Sequence, residues 1–417
     1  MVRSYNLMLF GWLALNLVGF CALDAKWAAP LVGWDRGFQQ WSGLAFFVFL
    51  CFFALSYFKV IRFGLSRFPA PSSSTILVKW RPSCVRNFRL VMALSNLVLF
   101  VILLRFGAFD VIFSGMNRGL FREAMNYQSG IVGQIVWLSS LYAVPCNFAA
   151  ECYYFTSLQR RAPLDIAILI GSGITVFLIS FSIGSRGSGV YFMLPGLLFL
   201  MRNFRIRDSA RALALMLIIL FIPSVHFHNQ SLNEALEAIA VRSSVGEVNA
   251  GYELWSKFNS RGLDNNFWPS NLLMIGTRLL AFIGFFEYGD IDGYQSYSYG
   301  YLLMKEITGE SWMTTTTTWP GTPLSFGVAF FGEFWMIGAL LMGAIVGLHH
   351  LVFIWANKYG EPAVCIVVAS LFYSSIIRFL SSGSPTELIT LNKLVIYVSL
   401  GIYIKVLQRV LIRNGTV

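Results

Sequence analysis

Residues 226–261 read HFHNQSLNEALEAIAVRSSVGEVNAGYELWSKFNSR, and the polar character continues as far as TTTTTWPGTP at 314–323. Between His226 and Pro323 stand ten carboxylates (Glu234, Glu237, Glu247, Glu253, Asp264, Glu287, Asp290, Asp292, Glu306 and Glu310) against five basic residues, Arg242, Lys257, Arg261, Arg278 and Lys305. Hydrophobic blocks flank this segment on both sides. An acidic, water-compatible stretch set inside a basic, apolar chain is the exposed surface of a membrane protein. Its polar groups meet water beside the bilayer, so this is where chemistry is expected.

Outside that segment the chain is close to continuous membrane span. Of its 417 residues 56% are hydrophobic and only 12% charged, about half the charged share of a soluble domain. Apolar runs near 18 residues recur, long enough to cross a hydrocarbon core. They are continuous rather than alternating, which selects helices over a barrel. The expected fold is therefore an all-α polytopic membrane protein.

The net charge of +11 is unevenly spread. Lys59, Arg62, Arg67, Lys79, Arg81, Arg86 and Arg89 form one loop without an acid; Arg202, Arg205, Arg207 and Arg211 form another, and Lys405, Arg409 and Arg413 close the chain. These segments alternate with balanced or acidic ones, the bias that places basic loops in the cytoplasm. That pattern argues for lipid neighbours and against nucleic acid. None of the six cysteines lies in the acidic segment, so no disulfide framework is expected there.

Taken in order, spans are expected at about Leu7–Leu23 (an uncleaved anchor), Trp41–Ile61, Leu90–Leu104, Ile131–Phe148, Leu164–Ile183, Val190–Met201 and Ala212–Val225. Three more follow the acidic segment: Ser325–Ile354, Pro362–Leu380 and Leu388–Leu407. The count is about ten, with both termini cytoplasmic and one large outer helical loop between spans seven and eight. The chain thus divides into a bundle (1–225), the loop (226–323) and a second bundle part (324–417). Phe106 to Gln128 reads as a helix lying at the interface. Within the loop, Leu232–Arg242 has helical spacing, and Leu272–Phe286 reads as a helix resting on the bundle, since Arg278 stands at its middle. The thirty-residue eighth span carries Gly343 and Gly347, a small-residue face for close packing.

This topology gathers ionisable residues at the outer level: Arg186 in a glycine-rich hairpin turn, Glu333 and Arg378 at span ends, and Arg242, Arg261 and Arg278 in the loop. Charges within spans cost about 2.5–3.5 kcal/mol on insertion scales, so Glu333 and Arg378 need water or partners. They could simply neutralise each other. The functional reading is an outward anion site, because guanidinium stays charged and presents a planar fork to phosphate oxygens. His226 and His228 are candidate general bases. Their i, i+2 spacing makes a poor metal pair, and no metal or cofactor site is expected. Asp290-Ile291-Asp292 reads as a solvated turn, and His349 and His350 as structural residues.

Gly184-Ser185-Arg186-Gly187 at a helix hairpin resembles the corresponding turn of the bacterial O-antigen and polysaccharide repeat-unit polymerases, the Wzy type. Thr317–Thr322 followed by Phe331-Gly332-Glu333-Phe334 resembles the stretch where those proteins re-enter the membrane, and the glycine-rich run from Gly338 to Gly347 is also similar. The resemblance spans Ser182 to Gly347. It implies a GT-C-like bundle in the bacterial inner membrane, with a periplasmic active face. The implied activity is polymerisation of oligosaccharide repeat units carried on undecaprenyl diphosphate, by inverting displacement without a metal. Arg186, Arg278 and Arg378 would hold the diphosphate, with Arg242 near the transferred sugar and Arg261 a further residue binding substrate or diphosphate. Glu333, if buried enough to titrate near neutrality, would be the base, with His226 or His228 second. The implied partners are the glycan-lipid donor and acceptor, membrane lipid and a chain-length regulator. An O-antigen ligase and, in a different class, a lipid-linked oligosaccharide flippase are the alternatives.

Overall fold

A computed structural model of the protein describes residues 2–25, 41–67, 81–113, 130–158, 161–183, 188–201, 247–263, 322–358, 362–388 and 391–412, with the single positions 121, 125, 267, 268, 302, 303 and 306. Among the described residues there is no β-strand. The helices are α1 (Val2–Asp24), α2 (Ser42–Arg67), α3 (Pro82–Arg105), the short α4 (Ala108–Phe113), α5 (Gly130–Ser157), α6 (Pro163–Ile183), α7 (Ser188–Leu200) and α8 (Glu247–Arg261). After these come α9 (Pro323–Phe331), α10 (Trp335–Lys358), α11 (Pro362–Leu371), α12 (Arg378–Ser382) and α13 (Leu391–Leu411). A π-helical turn, Phe372–Ile377, joins α11 to α12.

Seven helical segments among the described residues are long and apolar enough to cross a membrane: α1, α2, α3, α6, α9–α10, α11–α12 and most of α13. Their outward faces agree with that. Ile166, Ile170 and Ile174 on α6, and Val395, Val398, Ile402 and Val406 on α13, are exposed at helical spacing. Apolar stripes of this kind would be a large sticky patch in water but are a normal surface against lipid. This is a multi-pass helical membrane protein. The expected seventh span (212–225), the helices expected at 232–242 and 272–286, and most of the acidic segment lie outside the described residues.

Local chemistry sets the helix ends. Pro82, Pro163, Pro323 and Pro362 each open a helix, where a missing N–H costs nothing. Asp24 at the end of α1 accepts from Ser42 Oγ (2.9 Å) and from the Gly43 N–H (2.6 Å). It thereby ties α1 to the start of α2 and puts negative charge at a helix N-terminus. Two ends of the bundle can then be told apart. At the basic end lie Arg67, Arg81 and Lys358. At the opposite one lie Ser42, Arg105 and Trp335, and there α8, the described helix of the acidic segment, packs on α9 and also touches α1 and α2. We call this the loop end.

Two sequence expectations are corrected. Arg86 and Arg89 are not in the basic loop: α3 begins at Pro82 and carries both within its first two turns. Asp165 of α6 makes this possible, taking both guanidinium groups, with Arg86 Nε and Arg89 Nη1 each 3.0 Å from Oδ1. Arg89 also reaches Glu151 of α5 (3.2 Å) and the Asp165 carbonyl (2.6 Å).

The second correction concerns the thirty-residue eighth span, which is a helical hairpin. Gly327 and Gly338 would lie about 16 Å apart along one continuous helix. Instead, a Cβ placed on Gly338 would come within 2.6 Å of the Gly327 Cα, and one on Gly327 within 2.7 Å of the Trp335 carbonyl. α9 therefore runs antiparallel beside the start of α10. The reversal sits at Gly332–Phe334, where Gly332 has φ 54° and ψ −122°, backbone that a side chain strains. α9 begins buried, its first N–H groups satisfied by a reciprocal cap: Thr322 Oγ1 accepts from Ser325 N–H (3.1 Å) and Ser325 Oγ from Thr322 N–H (3.0 Å). Gly343 and Gly347 do make the close face expected of them, against the Phe53 and Tyr57 carbonyls of α2. Gly338→Val is expected to splay the hairpin and cost about 1–3 kcal/mol, the usual cost of overpacking. The measurement is the thermal midpoint of the detergent-solubilised protein.

Candidate functional site

One cluster of described charged groups at the loop end surrounds the link between α12 and α13. α12 ends at Gly383 in the left-handed conformation (φ 67°), and a single 3-10 turn, Pro385–Glu387, turns the chain into α13. Glu387 is reached from two sides. Lys393, nearly buried, lies 2.9 Å from Glu387 Oε2 and donates to the Glu387 carbonyl (2.7 Å) and the Ser374 carbonyl (3.2 Å). Arg378 approaches the same Oε2 at 3.9 Å, with its side chain 38% exposed. Lys393 is thus spent on fixing the turn, while the Arg378 side chain is partly exposed.

The π-helical turn directly precedes Arg378. Its wide geometry places Ser374 Oγ against the Tyr397 hydroxyl of α13 and the Ser370 carbonyl. Tyr397 in turn meets Tyr142 of α5 edge to face. Phe379, next to Arg378, packs on Phe326 of α9 at 5.2 Å between ring centroids. The Arg378 turn and the hairpin therefore lean on each other.

The acidic segment docks on that hairpin. Gly251 of α8 lies so close to Thr322 that a Cβ there would overlap its side chain. Trp255 meets Trp335 edge to face, and Trp268 Nε1–H donates to the Phe330 carbonyl (2.6 Å). Lys257 of α8 pairs with the buried Glu306 at 2.5 Å, an ion pair internal to the segment. Arg378, the hairpin and α8 thus share one end of the bundle.

Of the residues singled out in the sequence, Arg378 and Glu333 have described side chains. Glu333 sits at the hairpin tip, exposed, with no hydrogen bond or ion pair among the described residues. It is not the buried carboxyl that the base role asks for, and Arg378 approaches Glu387 rather than Glu333. Arg261 is the last residue of α8. Arg186, Arg242, Arg278, His226 and His228 lie outside the described residues. Glu387 and Lys393 escaped the sequence reading; the signal was a carboxylate and a lysine closely following Arg378 in chain order.

A second polar cluster is buried among α1, α2, α10 and α11. The Val368 carbonyl can only accept, so His349 Nε2–H donates to it (3.0 Å) and Nδ1 accepts from the Tyr5 hydroxyl (2.9 Å). Tyr57 donates to Asn6 Oδ1 (2.5 Å), so it accepts from His350 Nδ1–H (2.5 Å). His350 is stacked on Tyr5 at 3.9 Å. These contacts stitch four helices together, in keeping with the structural role expected of both histidines. Among the described residues no group of three or more His, Cys, Asp or Glu side chains is placed to hold a metal ion. Comparison with family models, with curated proteins and with solved structures finds no match to this chain.

Proposed function

We propose that this protein is a glycosyltransferase of the bacterial inner membrane that joins lipid-diphosphate-linked oligosaccharide repeat units on the periplasmic side, as its resemblance to the repeat-unit polymerases implies. The observation that best supports this reading is the part-exposed Arg378, braced beside a membrane hairpin on which the acidic segment docks. A lipid diphosphate carries its charges at the bilayer rim, with its sugars in water and its chain in hydrocarbon. An arginine at the end of an apolar bundle, next to a polar segment that can hold sugars, meets those three demands together.

In the proposed reaction a hydroxyl of the acceptor's terminal sugar attacks the anomeric carbon of the donor glycan. The new glycosidic bond forms as the bond to the diphosphate oxygen breaks, with inversion, and a base takes the hydroxyl proton. Undecaprenyl diphosphate leaves with the bonding pair, and guanidinium groups stabilise that growing charge. Arg378 takes this role together with Arg186 and Arg278, Arg242 lies near the transferred sugar, and Arg261 is a further residue binding substrate or diphosphate. His226 and His228 are the candidates for the base; Glu333 would take that role only if bound substrate covered the exposed hairpin tip.

The test is incubation of the purified full chain with undecaprenyl-diphosphate-linked repeat units, followed by gel separation. A ladder of multimers is the expected result; unchanged single units would overturn the reading. In cells lacking the protein, surface glycan one repeat long is expected. Its complete absence would instead favour a ligase.

A further inference from the structure

A groove of about 510 Å³ runs between α2 and α10 at the basic end. Its walls are apolar, formed by Val60, Phe63, Leu348, Leu351, Val352 and Trp355, and Lys59 stands on its edge. Leu351 is wedged onto Gly64, where any Cβ would collide with it, and this contact forms the floor. The groove opens sideways, on a bundle whose outward faces are apolar.

Charge distribution points to what fills it. On α2, Lys59, Phe63 and Arg67 follow one another at four-residue spacing, so they share the groove-facing stripe. On α10, Leu351, Trp355 and Lys358 do the same at spacings of four and three. Lys59, Arg62, Arg67 and Lys358 are all exposed, and none has a carboxylate within ion-pair distance among the described residues. Their neighbours at the same end, Arg86 and Arg89, are both paired. Four cations without a described carboxylate therefore stand where the groove meets the membrane surface, while Arg81, Lys405 and Arg409 at the same end lie outside its lining. Arg67 also folds over the exposed Phe63 ring (5.2 Å), which turns its charge toward the groove mouth.

We propose that this groove is a binding site for an anionic glycerophospholipid. One acyl chain lies along Val60, Leu348 and Val352, and the phosphate sits among Lys59, Arg62, Arg67 and Lys358. Basic residues on long stems reach up to headgroup level while their methylenes line the apolar wall. Basic pockets between membrane helices select anionic headgroups on these grounds. The site is at the opposite end of the bundle from Arg378 and does not depend on the proposed transferase reaction.

The experiment uses the full-length protein in phosphatidylcholine vesicles doped with dibrominated phosphatidylglycerol or dibrominated phosphatidylcholine. Bromine quenches nearby tryptophan, and the Trp355 signal is the difference between wild type and Trp355→Phe. Half-quenching is expected at a mole fraction about tenfold lower for the anionic lipid, given four basic residues near its phosphate. The variant with Lys59, Arg62, Arg67 and Lys358 all changed to Gln is expected to lose that preference and still fold, since all four side chains are exposed. Equal quenching by the two lipids in the wild type would overturn the proposal, as would a preference that survives in the Gln variant. Trp355 unquenched by either lipid would also overturn it, pointing to a second copy of the chain over the groove.

Discussion

Arg89→Ala is expected to lower the stability of the solubilised protein by about 3–5 kcal/mol, the cost of leaving buried charge without its partner. Arg89 is fully buried, and so are Glu151 and Asp165, the two carboxylates it joins. Its removal cuts the ionic tie from α3 to α5, leaves Arg86 alone holding α3 to Asp165 of α6, and leaves Glu151 without its described cation. Arg86→Ala is expected to do much less, because Arg86 is a third exposed and lies at the edge of the cluster. The control is Arg89→Met combined with Glu151→Gln and Asp165→Asn, which removes charge from both sides. Thermal unfolding should show this triple variant recovering a large part of the loss. If Arg89→Ala and Arg86→Ala unfold at the same temperature, the cluster is not the clamp described.

The second large effect is on activity. Arg378→Ala is expected to reduce polymer formation by about 10²–10³-fold, the usual penalty for losing one donor to a developing anion. Protein level and thermal midpoint should change little, because Lys393 still holds the Glu387 turn. Arg378→Lys should recover only part of the activity, since an ammonium lacks the planar fork. A purely structural arginine would serve only to neutralise Glu387. In that case Arg378→Ala with Glu387→Gln would regain wild-type ladders, and that result would sink the catalytic assignment. If Arg378 holds the diphosphate, the double variant stays as inactive as the single one.

Hydropathy alone reads much of the bundle. α1, α2, α6 and α13 fall close to where apolar runs place them, because crossing hydrocarbon is a local demand that each segment meets by itself. The failures share a cause. Ser325–Ile354 is apolar apart from Glu333 and the two histidines, and a helix and a hairpin of helices have the same composition, so the reversal at Gly332 is invisible to a window average. Only the glycines at 327, 332 and 338 hinted at it. Arg86 and Arg89 read as loop residues because their partners stand 62 to 79 positions away, and a charge is tolerated in a span only when a distant acid arrives to meet it. At the candidate site the sequence picked out Arg378 but not the residues that brace it. Glu387 and Lys393 matter through a turn whose shape no periodicity encodes.

The wide turn at Phe372–Ile377 stores one residue of slack. Such a turn holds about one residue more than an α-helix needs, and each residue of α-helix turns the chain by about 100°. Removing one residue there would let the stretch close into ordinary α-helix, with Arg378 facing much as it does now, whereas removing one from the regular helix before it would swing Arg378 by that angle. Deletion of a single residue within this six-residue stretch is therefore absorbed without re-aiming the guanidinium, and the same change in α11 is not.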